Sequence, residues 1–301
     1  MIKMQTEDKL SFYEQIAKNK RKSFFLVIVV FVVLIAIGYA ISYAFDPGYF
    51  FTVMIIATII SLLYVMLTYF NSDKIALASV GAKPADRIKH KEFYNAVENM
   101  SIASGLPMPK VYVMPGNQIN AFATGRDPKH AVICVTEGAL AKLNKQELEG
   151  VVGHEMAHIG NYDIRYMTTV AVVVGVISII SQMFLRSMWY GSRGGDSDSR
   201  GNALFFIIAI ILAILAPIIV MLVQFSISRK REFMADAGSV QFTRYPPGLI
   251  GALKKIKHEH EPMKVPDAVK PLFFSDTTRK ISSWFQTHPP IDERIKVLER
   301  M

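Results

Sequence analysis

Val151-Val152-Gly153-His154-Glu155-Met156-Ala157-His158-Ile159-Gly160 is the stretch that decides how the rest of this chain is interpreted. On a helix, His154 and His158 lie four positions apart on one face, so both imidazoles can reach a single ion. Glu155 then stands beside that ion. The pattern is the HExxH arrangement of a zinc hydrolase, and its alternative is a chance pair of core histidines.

Local signals around this stretch predict a buried helix. Asn144 followed by Glu147 forms a capping-box start, in which each side chain bonds the other residue's backbone N–H. Gly160 and Asn161 are residues that tolerate a left-handed helix end. Apart from Glu155, the core of the motif carries no charge, which is typical of a helix inside a protein core.

The composition narrows the chemistry of the site. Cys134 is the single cysteine among 301 residues, which excludes an internal disulfide and a cysteine-based zinc cage. The ligands must therefore be histidines and carboxylates. The net charge of +9 comes without a zinc-finger, aromatic or Gly-rich RNA-binding pattern, so nucleic acid is not an expected partner.

Two uncharged runs near the beginning predict a transmembrane hairpin. Residues 24–45 and 50–70 form runs of about 22 and about 21 residues, long enough to cross a bilayer at about 1.5 Å per residue. We assign 1–22 to a cytoplasmic N-terminal segment and 23–70 to the hairpin. Basic residues flank its two outer ends, which places both flanks in the cytoplasm.

Two further uncharged runs, 167–185 and 203–227, predict a second pair of transmembrane helices. The region 167–227 contains both runs, and the loop 186–202 joins them. Each run alone could instead be a buried core helix, because threonine and glutamine side chains make the first one more polar.

The remaining sequence predicts the two parts of a protease domain, at 71–166 and 228–301. The first part includes a helix over 92–103. Three stretches predict a small antiparallel sheet before the HExxH helix, namely 110–114, 118–124 and 131–136. An amphipathic helix over 291–301 closes the second part.

Glu232 is the best third metal ligand that the sequence offers, since a catalytic zinc usually takes three protein ligands. Glu232 and Asp236 are one helical turn apart, so one can bind metal while the other bonds a ligand histidine. A solvated charge run is the alternative. His158 precedes the third apolar run and Glu232 follows the fourth, so the chain between them must cross the bilayer twice or not at all.

Four separated motifs accompany the initial hairpin. They are Asn120-Ala121-Phe122-Ala123-Thr124-Gly125, His154-Glu155-Met156-Ala157-His158, Ser228-Arg229-Lys230-Arg231-Glu232 with Ala235-Asp236, and Thr287-His288-Pro289-Pro290 with Arg294. In this combination the chain resembles, over nearly its full length, the HtpX-like membrane zinc metallopeptidases, relatives of the CAAX prenyl proteases. The apolar runs predict a mostly α integral membrane protein with four transmembrane helices, and the resemblance adds a cytoplasmic, gluzincin-like α+β zinc protease domain.

The resemblance also implies the composition of the metal site. It places one Zn²⁺ per chain on His154, His158 and Glu232. Glu155 would act as the general base. Asp236 would accept a hydrogen bond from the nitrogen of a ligand histidine that does not bind the metal.

Further roles follow from the same resemblance. His288 would be catalytic by holding the developing oxyanion, and Arg294 would share that role or support the ligands from behind. Substrate would pair as a β-strand with Asn120, Ala121, Phe122 and Ala123. The simpler alternatives are a hairpin turn at 120–125 and a helix-capping role for His288.

The resemblance also implies the function, which is quality control of misfolded or damaged membrane proteins by a multi-pass protease of the plasma or inner membrane. Its partners would be polypeptide substrates and the lipid bilayer, and both termini and the catalytic site would face the cytoplasm. A prenyl-protein processing enzyme would share every ligand, but it would need more spans. A non-enzymatic scaffold is the third class, and the intact Glu155 argues against it.

Overall fold

The computed structural model describes residues 50–170, 229–259, 269–275 and 288–301, with isolated positions within 14–35 and 263–266. The fourth apolar run, most of the first and third runs, and the loop 186–202 lie outside the described residues. Within the described ranges, no helix combines the length and the apolarity that crossing a membrane requires. The four spans and the domain limits drawn from them stay predictions.

A four-stranded mixed sheet lies beside the HExxH helix. Its strands are β1 (Lys83–Pro84), β2 (Lys110–Met114), β3 (Ala121–Thr124) and β4 (Val132–Thr136), in the order β1-β2-β4-β3. β4 is antiparallel to β3 but parallel to β2. The prediction of an antiparallel sheet is therefore wrong for the β2–β4 pair. Alternation shows which side chains share a face, but it does not show which strands become neighbours.

The chain reaches this order by placing β3 at the outer edge and returning through a tight turn into the centre of the sheet. Gly125 has a φ of 133°, and a Cβ there would clash with the carbonyl oxygen of His130. Glycine is therefore required at this turn. Asp127 then caps a short 3₁₀ helix, Pro128–His130, which leads into β4.

Side chains on the two faces of the sheet enter two apolar cores, as the period of two requires. Ala121, Ala123 and Ile133 face the larger core, which also contains residues of the surrounding helices. Phe122 and Cys134 face the smaller core on the opposite side.

The helices surround the sheet and the HExxH segment. They are α1 (Phe50–Phe70), α2 (Ser72–Ser79), α3 (Lys91–Ser104), α4 (Glu137–Lys142), α5 (Lys145–Gly160), α6 (Arg229–Thr243), α7 (Pro246–His258) and α8 (Ile291–Leu298). Residues 163–170 are helical as well. The HExxH helix, α5, packs against α3, α6, α7 and β3, so most of it is buried.

The two ends of α5 test the local sequence signals differently. The capping box is confirmed, because Asn144 and Glu147 bond each other's backbone N–H. The left-handed end at Gly160 and Asn161 is wrong, since Asn161 keeps a φ of −77°. The left-handed residue is Tyr162, with a φ of 58°. The backbone N–H of Asn161 still bonds the carbonyl of Ala157, so the chain reverses one residue later.

Small residues allow α6 to approach α5 closely. A Cβ on Gly238 of α6 would lie 2.6 Å from the Cβ of Ala157. The Ser239 hydroxyl donates to the carbonyl of Gly150 at 2.6 Å. This close contact brings the backbone of α6 near enough to α5 for a glutamate side chain to reach the two histidines of α5.

Candidate metal centre

Helices α5 and α6 bring three side chains together. His154 Nε2 lies 3.6 Å from one carboxylate oxygen of Glu232, and His158 Nε2 lies 3.4 Å from the other. One ligand atom from each residue lies within 4.8 Å of the others. Glu232 is 4% exposed, which excludes the solvated charge run as its explanation.

The orientation of the two histidine rings suits a cation. His154 Nδ1 lies 2.9 Å from a carboxylate oxygen of Asp236, and His158 Nδ1 lies 3.0 Å from one of Asp163. When each Nδ1–H donates to its carboxylate, the Nε2 atoms present lone pairs to each other at 3.1 Å. An ion between them removes that repulsion, and two nitrogens held by a tetrahedral zinc lie about 3.3 Å apart.

Glu155 is buried beside this pair at 2% exposure. The backbone N–H of Ala123 in β3 donates to its carboxylate. Burial raises the pKa of Glu155, and the nearby Glu232 carboxylate raises it further against the opposing influence of the two histidines. The side chain is therefore held close to the point where the ligands meet.

His288 joins the same cluster from the other part of the chain. It is 7% exposed, and its Nδ1 lies 3.1 Å from Glu232 Oε2. Burial alone would raise the pKa of Glu232, but the three surrounding histidines hold it well below its usual range. The helix-capping alternative for His288 is wrong, because Pro290 is the cap residue of α8 and makes no side-chain cap bond.

Arg294 and Asp236 form a fully buried pair behind His154. The guanidinium donates from Nε and Nη2 to the two oxygens of Asp236 at 2.9 and 2.7 Å. Burial would raise the pKa of Asp236, but Arg294 and the hydrogen bond from His154 lower it. Arg294 therefore binds the carboxylate that holds His154.

The sequence of this site-bearing region matches a known family. Residues 87–301 match the sequence profile of Peptidase family M48. The chain belongs to peptidase family M48. It is a metallopeptidase, and the family prediction is confirmed.

Relatives of this M48 peptidase extend the match to nearly the whole chain. The "Protease HtpX homolog" of Caldanaerobacter subterraneus subsp. tengcongensis is 45% identical over 297 residues, covering 97% of this chain and 99% of that protein. The protein of the same name from Dictyoglomus turgidum is 42% identical, with coverages of 97% and 95%. These relatives are called proteases, in agreement with the predicted activity.

A solved structure shares the fold of this M48 peptidase. The crystal structure of S. mikatae Ste24p superimposes with a TM-score of 0.50 over 95% of this chain and 67% of that chain. The sequence identity is 18%, so the likeness concerns the fold alone.

The strand β3 has a partner along its outer edge that the sequence did not indicate. Phe273 forms an antiparallel bridge with Phe122, and the two rings lie 5.1 Å apart. The backbone N–H of Phe274 donates to the carbonyl of Ala121 at 2.7 Å. We call residues 273–275 the strap. The hairpin-turn alternative for 120–125 is wrong, because Ala121–Thr124 is a strand.

The strap also occupies the side chain of Asn120. The Asn120 amide donates to the carbonyl of Ser275 at 3.2 Å, and the Ser275 N–H donates to Asn120 Oδ1 at 3.1 Å. The Phe274 ring meets the His154 ring edge-on, with centroids 4.8 Å apart. The predicted substrate strand is thus an edge strand beside the metal centre, but its outer peptide groups already have a partner within the chain.

Asp163 and Arg231 are the site residues that sequence reasoning missed. Both are buried, at 0% and 4% exposure. The available signal was a carboxylate just after the HExxH helix, where it could reach back to His158. Such a residue is common at helix ends, so the spacing alone did not single it out.

Proposed function

We propose that this M48 peptidase is a membrane-bound zinc endopeptidase that cleaves misfolded or damaged membrane proteins. The observation that carries the proposal is the convergence of His154, His158 and Glu232 on one point, with Glu155 beside them. Two ligands come from α5 and one from α6. The site therefore forms only in the folded chain.

The chemistry follows from the positions of these side chains. Zinc, when bound, supplies a Lewis acid that polarises the peptide carbonyl and acidifies water. Glu155 accepts a proton from the attacking water as the water oxygen bonds to the carbonyl carbon. Glu155 then gives the proton to the amide nitrogen while the C–N bond breaks. We assign to His288, which lies beside Glu232, the donation of a hydrogen bond to the negative carbonyl oxygen.

Membrane attachment is supported by the apolar runs and their basic flanks. In α1, the apolar side chains of Ile55, Ile59 and Leu63 are each more than half exposed, an arrangement that lipid would cover. Four spans would place both termini and the two parts of the protease domain on the cytoplasmic side.

Substrate recognition is proposed to use β3. An extended polypeptide can add to a sheet edge by main-chain hydrogen bonds, with little dependence on sequence. The groups proposed for this pairing are the outward backbone carbonyl of Ala121 and the side-chain amide of Asn120. Because the strap now bonds both, an entering substrate must displace it.

Activity of the purified full-length chain tests the proposal. The protein in detergent should contain one zinc per chain and cleave casein, and a chelator should abolish both the zinc and the cleavage. Zinc added back should restore cleavage. A chain that binds zinc but cleaves neither casein nor a misfolded membrane protein would contradict the proposed activity.

Topology needs a separate measurement. A cysteine placed in the loop 191–202 should react with an impermeant thiol reagent from outside the cell, since four spans put this loop on the far side from the site. Cys134 is buried and gives little background. Protection of the loop from outside, with labelling from the cytoplasm, would contradict the four-span arrangement and leave the metal chemistry intact.

A further inference from the structure

Asp163 is a buried carboxylate placed by a strained turn. It follows Tyr162, whose φ of 58° lies in the left-handed region that few non-glycine residues adopt. The turn brings Asp163 back against the end of α5. Its Oδ2 atom lies 3.0 Å from Nδ1 of His158, on the side of the ring opposite the metal-facing nitrogen.

Arg231 approaches the other oxygen of the same carboxylate. Its Nε lies 3.8 Å from Asp163 Oδ1, and both side chains are buried. Arg231 directly precedes Glu232 in α6. Asp163 therefore lies between a ligand histidine of α5 and the residue next to the third ligand.

The other histidine has a matching arrangement. His154 Nδ1 faces Asp236, and Asp236 is held by Arg294. On the side away from the metal, each imidazole thus contacts a carboxylate, and a guanidinium lies beyond that carboxylate. The two sets come from different parts of the chain. Arg231 belongs to the Ser228–Glu232 motif, but Asp163 belongs to none of the four motifs.

We propose that Asp163 is a positioning residue for the metal centre and that Arg231 acts through it. The inference rests on the proposed zinc site. A carboxylate that accepts the Nδ1 proton fixes the ring orientation and the tautomer, which leaves the Nε2 lone pair for the ion. Arg231 in turn fixes the carboxylate and holds the start of α6, with Glu232, against α5.

Zinc affinity of purified full-length variants tests this inference without relying on cleavage. Asp163→Ala should weaken zinc binding about 10–100-fold in competition with a chelator, the usual effect of removing such a carboxylate. Asp163→Asn should lose less zinc affinity, because its amide oxygen still accepts a hydrogen bond from the Nδ1–H of His158. Arg231→Gln should lose less than Asp163→Ala, and the double variant should bind no more weakly than Asp163→Ala alone.

Two controls separate positioning from folding. Asp292→Ala removes an exposed carboxylate that pairs with Lys257, and it should leave zinc affinity unchanged. Thermal unfolding in chelator should rank the variants by apo-protein stability, and that ranking should not reproduce the ranking of zinc affinities. Unchanged affinity in Asp163→Ala, or additive losses in the double variant, would overturn the inference. A wild-type chain that binds no zinc would refute the proposed function instead.

Discussion

His154 and His158 face each other through their Nε2 atoms at 3.1 Å. Without an ion, a proton is the simplest way to relieve the contact. Burial alone would lower the pKa of His158, but hydrogen bonds to Asp163 and Glu232 raise it to about 10. The metal-free site therefore holds a proton at neutral pH where zinc would bind.

Zinc affinity should consequently rise with pH. Zinc must displace the His158 proton, so apparent affinity should increase about tenfold for each pH unit between about 6 and 8. The metal-free protein should show the opposite trend in stability, because a raised histidine pKa stabilises the fold fully below about 6.5 and loses that contribution as pH rises through about 10. Chelator competition at three pH values measures the first trend, and a flat profile would contradict it.

Glu155→Gln should separate chemistry from metal binding. The amide keeps the shape of the side chain but cannot accept a proton, so cleavage should fall by a factor of about 10² or more, while zinc content stays at one per chain. His154→Ala, His158→Ala and Glu232→Ala should each lose zinc as well as activity.

Glu149→Gln is the matched control for the Glu155 variant. It makes the same change in α5, where Glu149 contacts Asn99 at the protein surface. Both zinc content and cleavage should match the wild-type chain. A Glu155→Gln protein that still cleaves casein would remove Glu155 from the role of base.

The HExxH helix could be predicted from the sequence because its geometry is local. The spacing of His154 and His158 fixes their common face, and the capping box fixes where α5 begins. Glu232 required one more step, since its partners are distant in sequence. Glu232 could still be selected, because the single cysteine excludes a cysteine-based cage and because Glu232 lies one helical turn from Asp236.

Features that depend on tertiary neighbours were not predictable in the same way. The parallel β2–β4 pair depends on which strand occupies the centre of the sheet, and alternation carries no information on that choice. Asp163 gains its importance from contacts with His158 and Arg231 that exist only in the folded chain. The strap has no alternating pattern of its own, and its pairing with β3 joins segments far apart in the chain.

Gly150→Ala should destabilise the fold although it improves helix propensity. A Cβ at this position would lie 2.6 Å from the backbone nitrogen of Leu249 in α7. Moving α7 should cost about 1–3 kcal/mol, more than the gain of about 1 kcal/mol from replacing a helical glycine. Gly160→Ala is the control in the same helix, because its nearest contact is the flexible tip of Leu106 at 3.2 Å. Denaturant unfolding should show a loss for the first variant only.

The strap provides a reversible test of where substrate binds. Phe122 and Phe273 form a bridge, and the bond from the Phe274 N–H to Ala121 identifies them as a close, non-hydrogen-bonded pair. Cα atoms in such pairs lie about 4.5 Å apart, within the range for a disulfide. Cys134 lies opposite Phe122 across β3 and β4, so the test uses a Cys134→Ser background. In that background, cysteines at both positions should link the strap to β3.

Oxidation of the Phe122→Cys/Phe273→Cys protein should suppress cleavage at least about tenfold, because substrate pairing with β3 requires the strap to leave. A phosphine reductant should restore cleavage to the level of the two single variants, in the same sample and without refolding. Zinc content should be equal before and after reduction, which rules out metal loss as the cause. If the oxidised protein cleaves as fast as the reduced one, the strap is a permanent part of the sheet and substrate binds elsewhere.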